Sequence, residues 1–146
     1  MRNGRRDRSV LAAAAIGALG VLLAFVSATA EAKPVRLEAG EVTALIAGNT
    51  VYGYNPRDDS NFTMFHSSNG QVRAELRNVT GQVSRSDGRW WVNDLGKLCV
   101  QWENFRWVNS CAIVTRDEEA DSVTFIDDNG HIVSFGEVVT GNPDDI

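Results

Sequence analysis

Cys99 and Cys111 are the residues of this 146-residue chain whose chemistry is easiest to read from spacing. They are its two cysteines, and they lack both the Cys-x-x-Cys spacing of a redox motif and a neighbouring base that would activate a thiol. Residues 97–102 and 109–115 each read as a strand, joined by a loop around Glu103-Asn104-Phe105-Arg106-Trp107. Setting Cys99 opposite Cys111 puts Trp102 opposite Val108 and leaves five residues for the turn. The expected role is therefore a cross-strand structural disulfide, ahead of a reactive thiol or a metal ligand. Such a bridge brings the Cα atoms to about 5.5 Å, and closing so short a loop adds a couple of kcal/mol, about 2.

Four tryptophans, Trp90, Trp91, Trp102 and Trp107, crowd the same third of the chain. Adjacent strand residues face opposite ways, so Trp90 and Trp91 cannot both enter one core. Trp90 and Trp102 are expected inside. Trp91, Phe105, Arg106 and Trp107 are the candidate partner surface. His66 and His131 flank turns, belong to no zinc spacing, and are expected in ordinary surface or strand-end positions. Most carboxylates fall in turns, where Asp holds backbone N–H groups. Asp127-Asp128-Asn129-Gly130 resembles the start of a calcium loop, but the closing Glu of that loop is missing. No catalytic residue, metal site or cofactor is expected.

The elements that must position these residues begin after an export signal. Arg2, Arg5, Arg6 and Arg8 precede an apolar run over residues 10–26, and Ala28 and Ala30 supply the small side chains of a cleavage site. The run is shorter than the roughly 20 residues of a membrane-spanning helix, so cleavage after Ala30 or Ala32 is expected rather than a retained anchor. The mature protein is then periplasmic or secreted, in surroundings that permit a disulfide. Removing residues 1–30 leaves ten basic against eighteen acidic residues, a formal charge of −8. Such a surface repels phosphate backbones, which excludes nucleic acid as an expected partner.

Residues 31–39 read as an extended lead-in to a single β domain over 40–146. Residues 40–47 have Val42, Leu45 and Ile46 on one helical face, ending at Gly48. Strands follow at 50–54, 61–66 and 71–77, the last with Val72, Ala74 and Leu76 against Arg73, Glu75 and Arg77. A weak strand at 81–85, a turn at Ser86-Asp87-Gly88 and a strand at 89–93 come next. After the two cysteine strands, residues 122–127 and 131–139 complete the set. The fold class is all-β: an antiparallel meander closed or partly closed as a small lipocalin-like barrel, with one short N-terminal helix. A β-sandwich is the alternative.

Gly48-Asn49-Thr50, Asp87-Gly88-Arg89-Trp90, Leu98-Cys99-Val100-Gln101-Trp102 with Cys111, and Gly141-Asn142-Pro143 occur in the order found in the DUF995 family of small exported alphaproteobacterial proteins. The chain resembles that family over residues 35–146 and departs from its pattern at Arg89 and at Asp117-Glu118-Glu119. The resemblance implies export and the disulfide. The family has no agreed activity, so no catalytic residues carry over. The expected function is a non-catalytic binding or envelope-associated protein, with an envelope protein, a glycan or a small apolar ligand as partner. The alternatives are a protein-partner or inhibitory module, and a small hydrolase acting on envelope polymers through a pair of acids.

Overall fold

Residues 33–146 are described by the structure, a computed structural model, and the export signal expected over residues 1–30 lies outside them. The elements are β1 (Val35–Arg36), α1 (Ala39–Ile46), β2 (Asn49–Asn55), β3 (Ser60–His66), β4 (Gln71–Asn78), β5 (Val83–Val92), β6 (Leu98–Trp102), β7 (Ser110–Asp117), β8 (Ser122–Ile126) and β9 (Ile132–Thr140). From β2 onward each strand pairs antiparallel with the next, and β9 returns to pair with β2. The result is a closed eight-stranded barrel of lipocalin-like meander topology with one short helix at its N-terminal side. Because each of those eight strands has a partner on both sides, the sandwich alternative is set aside.

Alternation along the strands decides what lies inside. Val72 and Ala74 on β4 are buried, as are Phe62 and His66 on β3. The intervening residues face water and pair across strands: Arg73 with Asp87 at 3.3 Å, and Glu75 with Arg85 at 2.7 Å, each directly opposite in register. Such outer ladders contribute a few tenths of a kcal/mol each, roughly 0.2–1. Their sign pattern fixes the register of a barrel whose interior already demands it.

The turn expected at Ser86-Asp87-Gly88 is absent, and β5 runs through it unbroken. Ser86 is buried, Asp87 points outward to Arg73, and Gly88 has no left-handed φ. A Cβ on Gly88 would stand 2.4 Å from the Gln101 carbonyl oxygen and 3.1 Å from the Trp102 ring. The glycine therefore lets β6 and a tryptophan come close, rather than reversing the chain. Gly53 serves the same end on β2, where a Cβ would fall 2.2 Å from the Phe62 ring.

At one end of the barrel α1 packs against β2 and β5 with Val42 and Ile46 fully buried. The Glu41 carboxylate accepts the Glu38 N–H at 2.8 Å, tying down a free donor of the first turn. The helix stops at Gly48, whose φ of 77° is the left-handed conformation, and the Gly48 N–H donates to the His66 carbonyl at 2.7 Å. Asn49 then joins three segments: its amide donates to the Leu45 carbonyl at 2.8 Å, and its carbonyl accepts the Gly141 N–H at 3.1 Å. The Thr50 hydroxyl donates to the Gly141 carbonyl at 2.6 Å.

The β6–β7 seam is the shortest in the barrel, with three residue pairs, and the central pair is Cys99↔Cys111. The disulfide is formed, with Cα atoms 3.9 Å apart, closer than the spacing expected from the sequence. Beyond β6, the same edge of β7 is taken by β1, through Val35↔Arg116 and Arg36↔Thr115. The ladder stops at Val100↔Ser110, so Trp102 is not opposite Val108 as the sequence predicts. Its N–H donates instead to the Asn109 side chain at 2.8 Å, which leaves a longer loop.

Candidate functional site: a cavity inside the barrel

The inward faces do not fill the barrel. A cavity of about 540 Å³ opens at the mouth away from α1 and ends at Val51, His66 and Leu98. Its walls are Val51, Phe62, Met64, Leu76, Leu98, Val100 and Phe125, contributed by β2, β3, β4, β6 and β8. Polar residues gather at the mouth: Asn55 at the end of β2, Arg57 and Asp58 from the β2–β3 turn, Arg106 from the β6–β7 loop, and Asp127 after β8. The volume lies within the roughly 300–1,000 Å³ typical of small-molecule sites, and so does the mixture of many apolar and few polar groups.

Trp102 and Trp107 form one side of the mouth. Their rings meet edge to face, with centroids 4.7 Å apart, and the Trp107 indole N–H donates to the Ser84 hydroxyl at 3.1 Å. Of the residues expected on a partner surface, Arg106 and Trp107 thus belong to the cavity rim. Phe105 stands beside them, 90% exposed, with the Arg106 guanidinium 5.7 Å from its ring centroid. Trp91 lies elsewhere, on the outer wall opposite Cys99 in register and 45% exposed. The four do not make one patch. Cys99 and Cys111 lie outside the cavity and cross-link its wall.

His66 is the functional candidate that sequence reasoning misplaced. It does end β3, but on the inner face rather than the surface, with 1% of its area exposed. The residue borders the inner end of the cavity, and its ring meets Trp90 edge to face at 5.7 Å. Neither ring nitrogen has a hydrogen-bond partner. Burial pushes its pKa down to about 4, against a weaker upward pull from the Met64 backbone, which does not reach hydrogen-bond geometry with either nitrogen. The imidazole is therefore neutral at pH 7. One signal was available: the alternation of Phe62, Met64 and His66 placed this histidine on the apolar face of its strand.

The carboxylates near the mouth have local duties. Asp127 accepts the backbone N–H groups of Asn129 and His131, both at 2.9 Å, and the His131 bond chiefly holds its carboxyl below the usual range. Asp128 pairs with Lys97. The calcium-like string is thus a turn that closes on itself. A larger, shallower depression of about 670 Å³ lies on the outer wall of β3 to β5, bordered by Asp144, Asp145 and Ile146. Its charged side chains, Arg73, Glu75, Arg85 and Asp87, are paired with one another. The tail beside it is fastened by Tyr52, whose hydroxyl donates to Asp144 at 2.6 Å. That bond is the main reason the phenol is pushed up to about 12. Among the described residues, no three His, Cys, Asp or Glu side chains converge on a metal-sized point, and no helix is long and apolar enough to cross a membrane.

No protein-family model matches the chain, and no curated protein matches it in sequence. The family resemblance therefore rests on its short motifs alone.

Proposed function

We propose that this protein is an exported binding protein that carries a small, largely apolar molecule inside its barrel. The observation that carries the reading is the cavity: about 540 Å³, walled by aliphatic and aromatic side chains and open at a mouth lined by polar loops. Burying an apolar ligand there contributes roughly 25 cal/mol per Å² of surface removed from water. The disulfide, the acidic surface and the basic-apolar start of the sequence support a site of action in the periplasm or outside the cell. Displacement of a fluorescent apolar probe by alkyl compounds of increasing chain length tests the reading. Saturable, length-dependent displacement supports it. Probe binding that never saturates, or that ignores chain length, counts against it.

A second reading, docking of an envelope protein through the β6–β7 loop, is favoured by the near-complete exposure of Phe105. Replacing Phe105 with Ala removes that contact while sparing the cavity. Loss of co-purified partner with ligand binding intact would support the docking role.

A further inference from the structure

The mouth of the cavity carries two cations that no carboxylate neutralises. Arg73, Arg77, Arg85 and Arg116 each hold a carboxylate within 3.3 Å. Arg57 and Arg106 both line the cavity, and their guanidinium groups hold none among the described residues. Their backbones are fixed by their own turns: the Arg57 N–H donates to the Asn55 side chain and the Arg106 N–H to the Asn104 side chain, both at 3.0 Å. The carboxylates of the mouth are already in use. Asp58 accepts the Asn55 amide at 3.1 Å, while Asp127 accepts two backbone N–H groups and stands 3.5 Å from the His131 ring. At the inner end, Val51 and Leu98 are apolar, and both ring nitrogens of His66 are shut away from any occupant. From Asn55 to Val51 the wall runs four residues along β2, roughly 13 Å.

We infer that the cavity takes a single-chain anionic amphipath, with its tail inward along Phe62, Met64, Leu76, Val100 and Phe125 and its head at the mouth on Arg57 and Arg106. The inference rests on the reading of the cavity as a ligand site. A guanidinium presents a fork of N–H donors that matches a carboxylate or a phosphate monoester, and it stays charged at neutral pH. Head-inward binding would bury an anion among apolar side chains with no donor in reach, which is costly. Head-outward binding leaves the charge partly in water and beside two cations. The acidic balance of the whole chain works against any anion. A preference for one therefore has to come from the mouth itself, which makes the order of affinities diagnostic.

Calorimetric titration of the purified protein at neutral pH with decanoate, decyl phosphate, decanol and decyltrimethylammonium tests this. The wild type should bind at least one of the two anions about tenfold tighter than decanol, the scale of two partly exposed ion pairs, and the cation most weakly. The tighter of the two anions identifies the head as carboxylate or phosphate. Added salt should weaken anion binding in the unaltered protein, because the attraction is screened. Arg57→Gln and Arg106→Gln should each lower the ratio of anion to decanol affinity, and the double variant should bring it to one or below. Decanol binding as tightly as both anions, or anion binding that tightens with salt, would overturn the anion site and leave the cavity reading standing. An anion preference that survives in the double variant would overturn it too, by placing the head elsewhere. Failure of all four compounds to bind would overturn the anion site together with the cavity reading.

Discussion

His66 sets how the stability of the barrel responds to pH. In the folded protein the ring is held neutral down to a pKa of about 4, whereas in the unfolded chain it titrates at the ordinary value of 6.5. Between those values the unfolded state takes up a proton that the folded state refuses, so stability is complete above pH 6.5 and falls as the pH drops toward 4. Going from pH 7 to pH 4.5 should cost about 2–3 kcal/mol from this residue alone. Urea unfolding of the wild type and His66→Gln at both pH values measures it. The variant should lose visibly less, because only the carboxylate contribution, including that of Asp127, remains to it. An equal loss in both proteins would mean that the ring is solvated. The sequence showed which strand face His66 occupies but not that the face is an interior. A strand-end histidine beside a turn looks the same in a flat sheet, and only closure of the barrel buries it.

The elements depend on side chains that bridge them at few points. Asn49 and Thr50 tie the end of α1 and the start of β2 to Gly141 after β9, at the place where the first and last barrel strands meet. Two of the short motifs read in the sequence, Gly48-Asn49-Thr50 and Gly141-Asn142-Pro143, are thus halves of one clasp. Their partnership was invisible in the sequence because 91 residues separate the bonded pair. Thr50→Val keeps the shape, removes the hydroxyl and leaves the Gly141 carbonyl short of a donor. It should cost about 1–2 kcal/mol in thermal or chemical unfolding. The β6–β7 seam has the opposite remedy, a covalent one. Reducing Cys99–Cys111 frees a loop with a sequence separation of 12 and should lower stability by about 2–3 kcal/mol. Amide exchange should then rise first in β6 and β7, since three residue pairs alone hold that seam. The pairing of the cysteines was legible from strand register. The unbroken β5 was not, because Ser-Asp-Gly has the composition of a turn whether its glycine reverses the chain or admits a neighbouring tryptophan.

At the scale of the molecule, closure and hollowness are separate properties. The first was legible and the second was not. Alternating strands with steady turn spacing imply a sheet that must cover its apolar face, and eight strands curling until β9 meets β2 is one way to do so. Whether the interior is then full depends on side-chain volumes summed across strands whose registers are fixed only in the folded state. Here Val42 and Ile46 of α1 and the inward Val72 and Trp90 are packed, while Ser110 and Ser134 stand among the lining residues farther up. Small side chains there leave room for a ligand. Ser134→Phe makes the distinction measurable. In a filled interior the added ring would overpack the barrel and cost about 1–3 kcal/mol. In a hollow one it occupies part of the empty volume, so stability should hold or rise slightly while binding of an alkyl compound falls at least tenfold. The unaltered protein should show the complement, a melting temperature that climbs with ligand concentration as binding to the folded state requires. In Ser134→Phe that climb should need at least tenfold more ligand, because the added ring takes up space beside Phe125, its partner in register.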